Sequence, residues 1–254
     1  MKNKKMRYLM TFICIVMTFI IVGCSNERFN NFEIGQTLKI GSEEFWIIDI
    51  NDKDITAIAK YNLLVGNICE STDNTTFNCN EIDSDEIGYG LQNKDAGNYI
   101  VKNNTIQFIG AVTFDKNNRF YWEDYEGIVK DGYENGYIYD KNSDIYQYLS
   151  GKSSYESYLK KYVEKVSIEL IDYDFVHEVW NTDVVKYLTT NHGYYWTGSV
   201  NELDGSILGI YINDVAMAYS PVYTTDSFSW DTHYGVRPTI TISKKEASKF
   251  LIEK

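Results

Sequence analysis

Apolar residues alternate with polar ones towards both ends of this chain and take helical spacing only in its middle. Near the amino end, residues 37–40, 45–50 and 55–59 read as a three-stranded meander, with Gly41-Ser42 and Asn51-Asp52-Lys53-Asp54 as turns. Trp46, Ile48 and Ile50 share one face of the second strand, and Phe45 and Ile47 the other. Both faces are apolar, which predicts a strand covered on two sides. Residues 99–101 and 105–114 predict a hairpin turned at Lys102-Asn103-Asn104. The stretch between these pairs, 70–98, is polar and acidic and reads as a long loop. Residues 119–139 are dense in Tyr and Gly, have no clear period and read as irregular structure or short edge strands.

Helical spacing follows. Residues 144–149 form a short candidate closed by Gly151. Ser153 and Glu156 read as a capping box ahead of Tyr155, Tyr158, Leu159 and Tyr162, which fall on one helical face. Val166, Ile168 and Leu170 alternate as a strand. Asp172 caps a turn carrying Phe175, Val176 and Val179, and Thr182 another carrying Val184, Val185 and Leu188. The stretch His192 to Ser243 then returns to strands. Leu208, Ile210 and Ile212 share a face, Asn213-Asp214 turns the chain, and Val236, Pro238, Ile240 and Ile242 alternate. Pro238 lacks an N–H for a ladder, which places it at an edge or sheet margin. Residues 244–254 read as a terminal helix or frayed tail.

The first 31 residues follow different rules. Lys2, Lys4, Lys5 and Arg7 precede an apolar run, residues 9–22, that is shorter than the roughly 20 residues a membrane span requires. It ends in Ile21-Val22-Gly23-Cys24, a small residue before a cysteine, as expected of a cleaved leader. This order resembles the lipobox of bacterial lipoproteins, in which the cysteine receives diacylglycerol and becomes the new amino terminus. The resemblance divides the chain into a leader (1–23), the lipidated Cys24 with a polar tether to residue 31, and one domain (32–254). It implies a location on the extracytoplasmic face of a bacterial membrane.

Charge and cysteines narrow the class. Loss of the leader takes the formal charge from −12 to −16, a surface that repels phosphate backbones, so nucleic acid is excluded as a partner. The 22 Tyr and 12 Phe, with only 2 Pro, favour half-buried strands over a helical bundle. Beyond Cys14 and Cys24 only Cys69 and Cys79 remain. They enclose a polar stretch and are read as a disulfide stapling the 69–98 acidic loop, with two free thiols as the alternative.

Three segments in order, 32–50 (FEIGQTLKIGSEEFWIIDI), 194–200 (YYWTGSV) and 234–243 (YGVRPTITIS), resemble a bacterial domain of unknown function with a C-type-lectin-like fold. That fold is itself distantly similar to the formylglycine-generating enzymes. The resemblance implies an α+β domain of short antiparallel strands, two or more short helices and long loops, whose first and last strands pair. It implies no activity. No cysteine follows Cys79, where the formylglycine-generating type needs late cysteines, and no Glu-Pro-Asn or Gln-Pro-Asp sugar motif is present. Arg237 is expected inside the fold, bridging carbonyls or a carboxylate, because guanidinium offers five donors in a rigid fork.

Candidate chemistry is sparse. His192, Asp231 and His233 could hold a metal if the fold gathered them, but their spacing does not require it, and no metal or cofactor is expected. Ser199, His233 and Asp231 can be drawn as a triad, without a nucleophile elbow to support it. Asp73, Glu81, Asp83, Asp85 and Glu86 read as a solvated acidic loop, since they lack the order of a calcium loop. Trp122 and Tyr121, Tyr125, Tyr133 and Tyr137 suit stacking on a sugar or protein, or edge packing. The reading that emerges is a lipid-anchored domain with a binding role towards an unknown surface ligand, protein or glycan. Trp230, Asp231, His233 and His192 are its nominated binding residues, and Trp196 and Arg237 its structural ones. The alternatives are an enzyme with a site near His192 and His233, or a structural envelope component.

Overall fold

The computed structural model describes residues 32–113, 143–151, 154–190, 194–200, 207–210, 218–220 and 233–252, and the chain is an α+β fold built on antiparallel sheets. The elements below belong to one unit, Ile34–Lys254. The amino-terminal meander is present as β1 (Thr37–Ile40), β2 (Glu43–Ile50) and β3 (Asp54–Ala59). It is completed by β8 (Ser167–Leu170) and β12 (Pro238–Ser243) into a five-stranded sheet of order β1-β2-β3-β12-β8. β12 is an inner strand, paired with both β3 and β8. Pro238 is tolerated there as the first residue of the strand, where a missing donor costs least.

β1 pairs with β2 and not with β12. The chain ends nevertheless meet: past β12, Lys39 N–H donates to Phe250 O (2.8 Å) and Ile252 N–H to Thr37 O (2.9 Å). The expected faces of β2 hold only as far as Ile48. Ile47 opposes Ala57 and Asp49 opposes Thr56, so one residue is inserted at Ile48. This bulge moves Ile50 from the face of Trp46 to the face of Ile47.

Helices cover both faces of this sheet. On one, α1 (Asp144–Ser150) and α2 (Tyr155–Leu159) bring buried Ile145, Leu149, Tyr155 and Leu159, with the Tyr155 ring 6.4 Å from that of Phe45. The cap of α2 is Ser154 rather than the expected Ser153, its hydroxyl accepting from Ser157 N–H. On the other face, α3 (Tyr173–Val179), capped by Asp172, and α4 (Val185–Thr189) contribute Val176 and Leu188. These pack with Ile48, Ile58, Ile171, Val184, Tyr195 and Ile210. A short helix, α5 (Lys244–Ala247), follows β12.

A second sheet has the order β5-β4-β7-β6: β4 (Asn67–Ser71), β5 (Asn78–Glu81), β6 (Tyr99–Lys102) and β7 (Thr105–Ala111). The β6–β7 turn uses Asn103 and Asn104 at φ 52° and 61°, the left-handed pair a two-residue hairpin demands. The expected 69–98 loop is corrected here, because its first part is the β4–β5 hairpin. The Cys69–Cys79 disulfide joins directly opposed residues of that hairpin. Nor does it staple a loop away from any core: Cys69 is fully buried against Phe77, Phe108 and Ala111. A third group, β9 (Tyr195–Val200), β10 (Ile207–Ile210) and β11 (Ala218–Ser220), pairs in the order β11-β10-β9. The expected features at 119–139, 212–214 and 253–254 lie outside the described residues, as do the leader and tether.

Two predictions concern the β4–β5 hairpin. Replacing Cys69 and Cys79 together by serine is expected to cost about 2–3 kcal/mol, read as a lower denaturation midpoint. Within its turn, Asp73 Oδ1 accepts from Thr76 N–H, Thr75 N–H and Ser71 Oγ, each at 2.9 Å. These bonds hold its carboxyl well below the usual carboxylate range. A depressed folded-state pKa gives stability that is present above the unfolded value, about pH 4, and lost as pH falls through the folded one. Asp73→Ala should therefore be less stable than the native chain at pH 7, and the gap between them should close on acidification below about pH 4.

Candidate functional site

The residues singled out in 192–243 start from β9 and the segment leading into β12. Trp196 is fully buried, donating Nε1–H to Val112 O at 2.8 Å and meeting the Tyr234 ring edge-on at 4.5 Å. Tyr234 stacks on Tyr194 at 5.8 Å, and Tyr194 continues to Tyr99 and Phe108 of the second sheet. Main-chain bonds stitch the same junction. Val112 and Tyr234 exchange N–H and C=O, Trp196 N–H donates to Gly235 O (3.1 Å), and Tyr194 N–H to Gly97 O (3.0 Å). His233 is buried here, not scattered on the surface. His192, Trp230 and Asp231 lie outside the described residues; of the nominated residues, Trp196, His233 and Arg237 are described, and all three are buried.

The glycine of the Gly-Val-Arg-Pro run has a steric reason. A Cβ at Gly235 would overlap the side-chain amide of Asn62, and one at Gly97 would overlap the same group. Asn62 is fully buried and donates Nδ2–H to Ala96 O at 3.1 Å. Its Oδ1 has no partner among the described residues.

Arg237 is fully buried and its fork meets three main-chain carbonyls, each at 2.8 Å. Nε–H donates to Ala59 O, Nη1–H to Leu188 O and Nη2–H to Tyr187 O. Tyr187 and Leu188 lie in the last turn of α4, whose end carbonyls otherwise lack donors. The guanidinium also sits 5.0 Å from the Tyr195 ring centre, and Tyr195 O–H donates to the same Leu188 carbonyl. Burial pushes Arg237 down to about 10 and Tyr195 up to about 12, the latter against the pull of the cation. Arg237 therefore remains charged and Tyr195 remains a donor at neutral pH.

A second polar knot surrounds Glu43, a buried carboxylate. Tyr155 O–H and Gln92 N–H donate to its Oε2, both at 2.8 Å, and Ser42 Oγ–H to its Oε1 at 2.8 Å. Burial first, then the Glu43 charge, raises Tyr155 well above the ordinary phenol value, so it too stays a donor. This knot fastens α2 to the β1–β2 turn and to Gln92. Ser199, drawn above as a nucleophile, instead accepts the Tyr173 N–H at 2.8 Å at the start of α3.

The sequence reading missed a cleft of about 730 Å³ beside the start of β8 and the end of β12, with Asp54, Lys160, Glu164, Lys165, Ser167 and Lys245 among its lining. No sequence signal marks it, because its residues come from three separated segments whose charged positions each read alone as solvated surface. No group of three or more His, Cys, Asp or Glu is placed to hold a metal among the described residues. No family model, curated protein or solved structure matches the chain.

Removing the Arg237 side chain should take a donor from the Ala59 and Tyr187 carbonyls and leave Leu188 O with the Tyr195 hydroxyl alone. Arg237→Ala is expected to destabilise by about 2–4 kcal/mol in chemical denaturation. Arg237→Lys should recover little of this, since an ammonium cannot reach three acceptors in a plane. Trp196→Ala is expected to cost about 3–5 kcal/mol as a large-to-small core deletion.

Proposed function

We propose that this protein is a bacterial surface lipoprotein, anchored through Cys24 on the extracytoplasmic face of the membrane, whose domain binds a surface ligand without catalysis. The observation that carries the reading is the ordered leader, basic residues, a short apolar run and Ile-Val-Gly-Cys, directly before a polar tether. The buried Cys69–Cys79 disulfide supports it, since disulfides persist in oxidising compartments and are rare in reducing ones. Among the described residues no helix is long and apolar enough to cross a membrane.

For the domain we propose the C-type-lectin-like type. The supports are the order of the three sequence segments, the meeting of residues 250–252 with β1, and the position of Gly235 to Pro238 ahead of an inner strand. The enzymatic alternative gains nothing from the geometry, because His233 is buried at an aromatic junction and Ser199 serves the start of α3.

Cys24→Ala should abolish incorporation of a labelled fatty acid and leave an unprocessed precursor. Labelling that persists in the variant would remove the anchor reading. Trp230 gives the test of binding. Trp230→Ala should keep the native melting temperature and lose the fluorescence response to the glycan or peptide that shifts the native protein's melting curve. A variant that fails to fold would assign Trp230 to the core instead.

A further inference from the structure

Antiparallel pairing fixes which ends of the strands lie together. Thr37 opposes Trp46, Ile50 opposes Ile55, Ser243 opposes Asp54, and Thr241 opposes Ser167. The starts of β3 and β8 and the ends of β2 and β12 therefore share one end of the five-stranded sheet, while β1 starts opposite Trp46, four residues short of the end of β2. The 730 Å³ cleft opens at this end, since Asp54, Ser167 and Ser243 all line it. The chain also enters the domain at this end, immediately before β1. Only nine residues separate Cys24 from Ile34, a reach of at most about 35 Å even when fully extended.

The chemistry of this end suits a lipid surface. Lys165 and Lys245 line the cleft and form no ion pair among the described residues, while Lys160 is paired with Glu156 outside it. Asp54 and Glu164 in the same cleft are likewise without a salt bridge. Three lysines and three carboxylates, Glu246 among them, thus line one opening, which is balanced in charge while the domain as a whole is strongly acidic. Two exposed isoleucines stand beside the start of β1: Ile34, 38% exposed just before it, and Ile252, 41% exposed and bonded to Thr37. Exposed apolar side chains beside lysines are what an interfacial surface needs, apolar contact at the headgroup boundary and cations for lipid phosphate.

We propose that this end of the sheet docks on the bilayer, with Lys165 and Lys245 holding phospholipid phosphate in the cleft and Ile34 and Ile252 touching the headgroup boundary. The proposal rests on the lipidation of Cys24, which brings this end within reach of the membrane. The test uses the full lipidated protein in vesicles of phosphatidylcholine with phosphatidylglycerol and, as reference, in detergent micelles. The readout is the acylation rate of individual lysines by a water-soluble amine reagent, resolved by mass spectrometry. Lys165 and Lys245 should react at least threefold more slowly in vesicles, while Lys94 and Lys102 should react equally in both. High salt should restore the rates, because lysine–phosphate attraction is screened. Equal rates at all four lysines, in protein that floats with the vesicles, would overturn the docking and leave the anchor standing. Protein that fails to float would overturn the anchor, and the docking with it.

Discussion

One buried cation holds the first and last thirds of the domain together. Arg237 enters the core with no carboxylate paired to it among the described residues, an arrangement that would be costly if its donors were unmet. Its three bonds go to the end of β3 and to the last turn of α4. α4 has five residues, far too few to persist alone, and its N-cap, Val184, offers no capping side chain. The arginine supplies the missing donors at the other terminus, where a cation also opposes the helix dipole. Leu188 and Tyr195 are thereby fixed in the apolar cluster with Ile48 and Ile58. The charge is tolerable because Ala59, Tyr187 and Leu188 present carbonyls on three sides and the Tyr195 ring covers a face.

Much of this was legible in the sequence wherever a local pattern carried it. The meander, the Asn103-Asn104 hairpin, the helix of residues 144–150 and the Asp172 cap each depend on residues close together in the chain. The failures share a different cause. The β4–β5 hairpin was invisible because its strands, NICES and NCNE, are polar and owe their pairing to Cys69 packing on Phe108, which is distant in sequence. The bulge at Ile48 was hidden because an apolar residue on either face fits the same alternation. β12 seemed marginal on account of Pro238, yet a proline at the first position of an inner strand forfeits a single bond.

The nominated site shows the same limit. Trp196 and Arg237 stand in a motif dense enough to mark them, but only the tertiary pairing of Val112 with Tyr234 sets Trp196 beneath the second sheet. Asn62 and Gly97 complete that junction from segments with no motif of their own. The charged cleft lies beyond sequence reading altogether, since Lys165 and Lys245 become neighbours only when β8 pairs with β12.

The disulfide has its counterpart in the small apolar cluster of the second sheet. The cluster assigned to the second sheet, Cys69, Phe77, Phe108 and Ala111 with partly buried neighbours, is too small to offset the ordering of four short strands. Two other constraints make up the difference. The aromatic run from Phe108 and Tyr99 through Tyr194 to Tyr234 fastens the sheet to the β9 junction, and the Cys69–Cys79 bond limits how far the β4–β5 pair can open in the unfolded chain. Cys79 has no apolar neighbour in sequence to keep β5 in place, and β5 is exposed along most of its length. In a reducing environment the bond would be lost and β5 would be held mainly by its ladder to β4. Among the described residues, the bond and the ladder to β4 are thus what hold β5 beside the small cluster around Cys69 and Phe108.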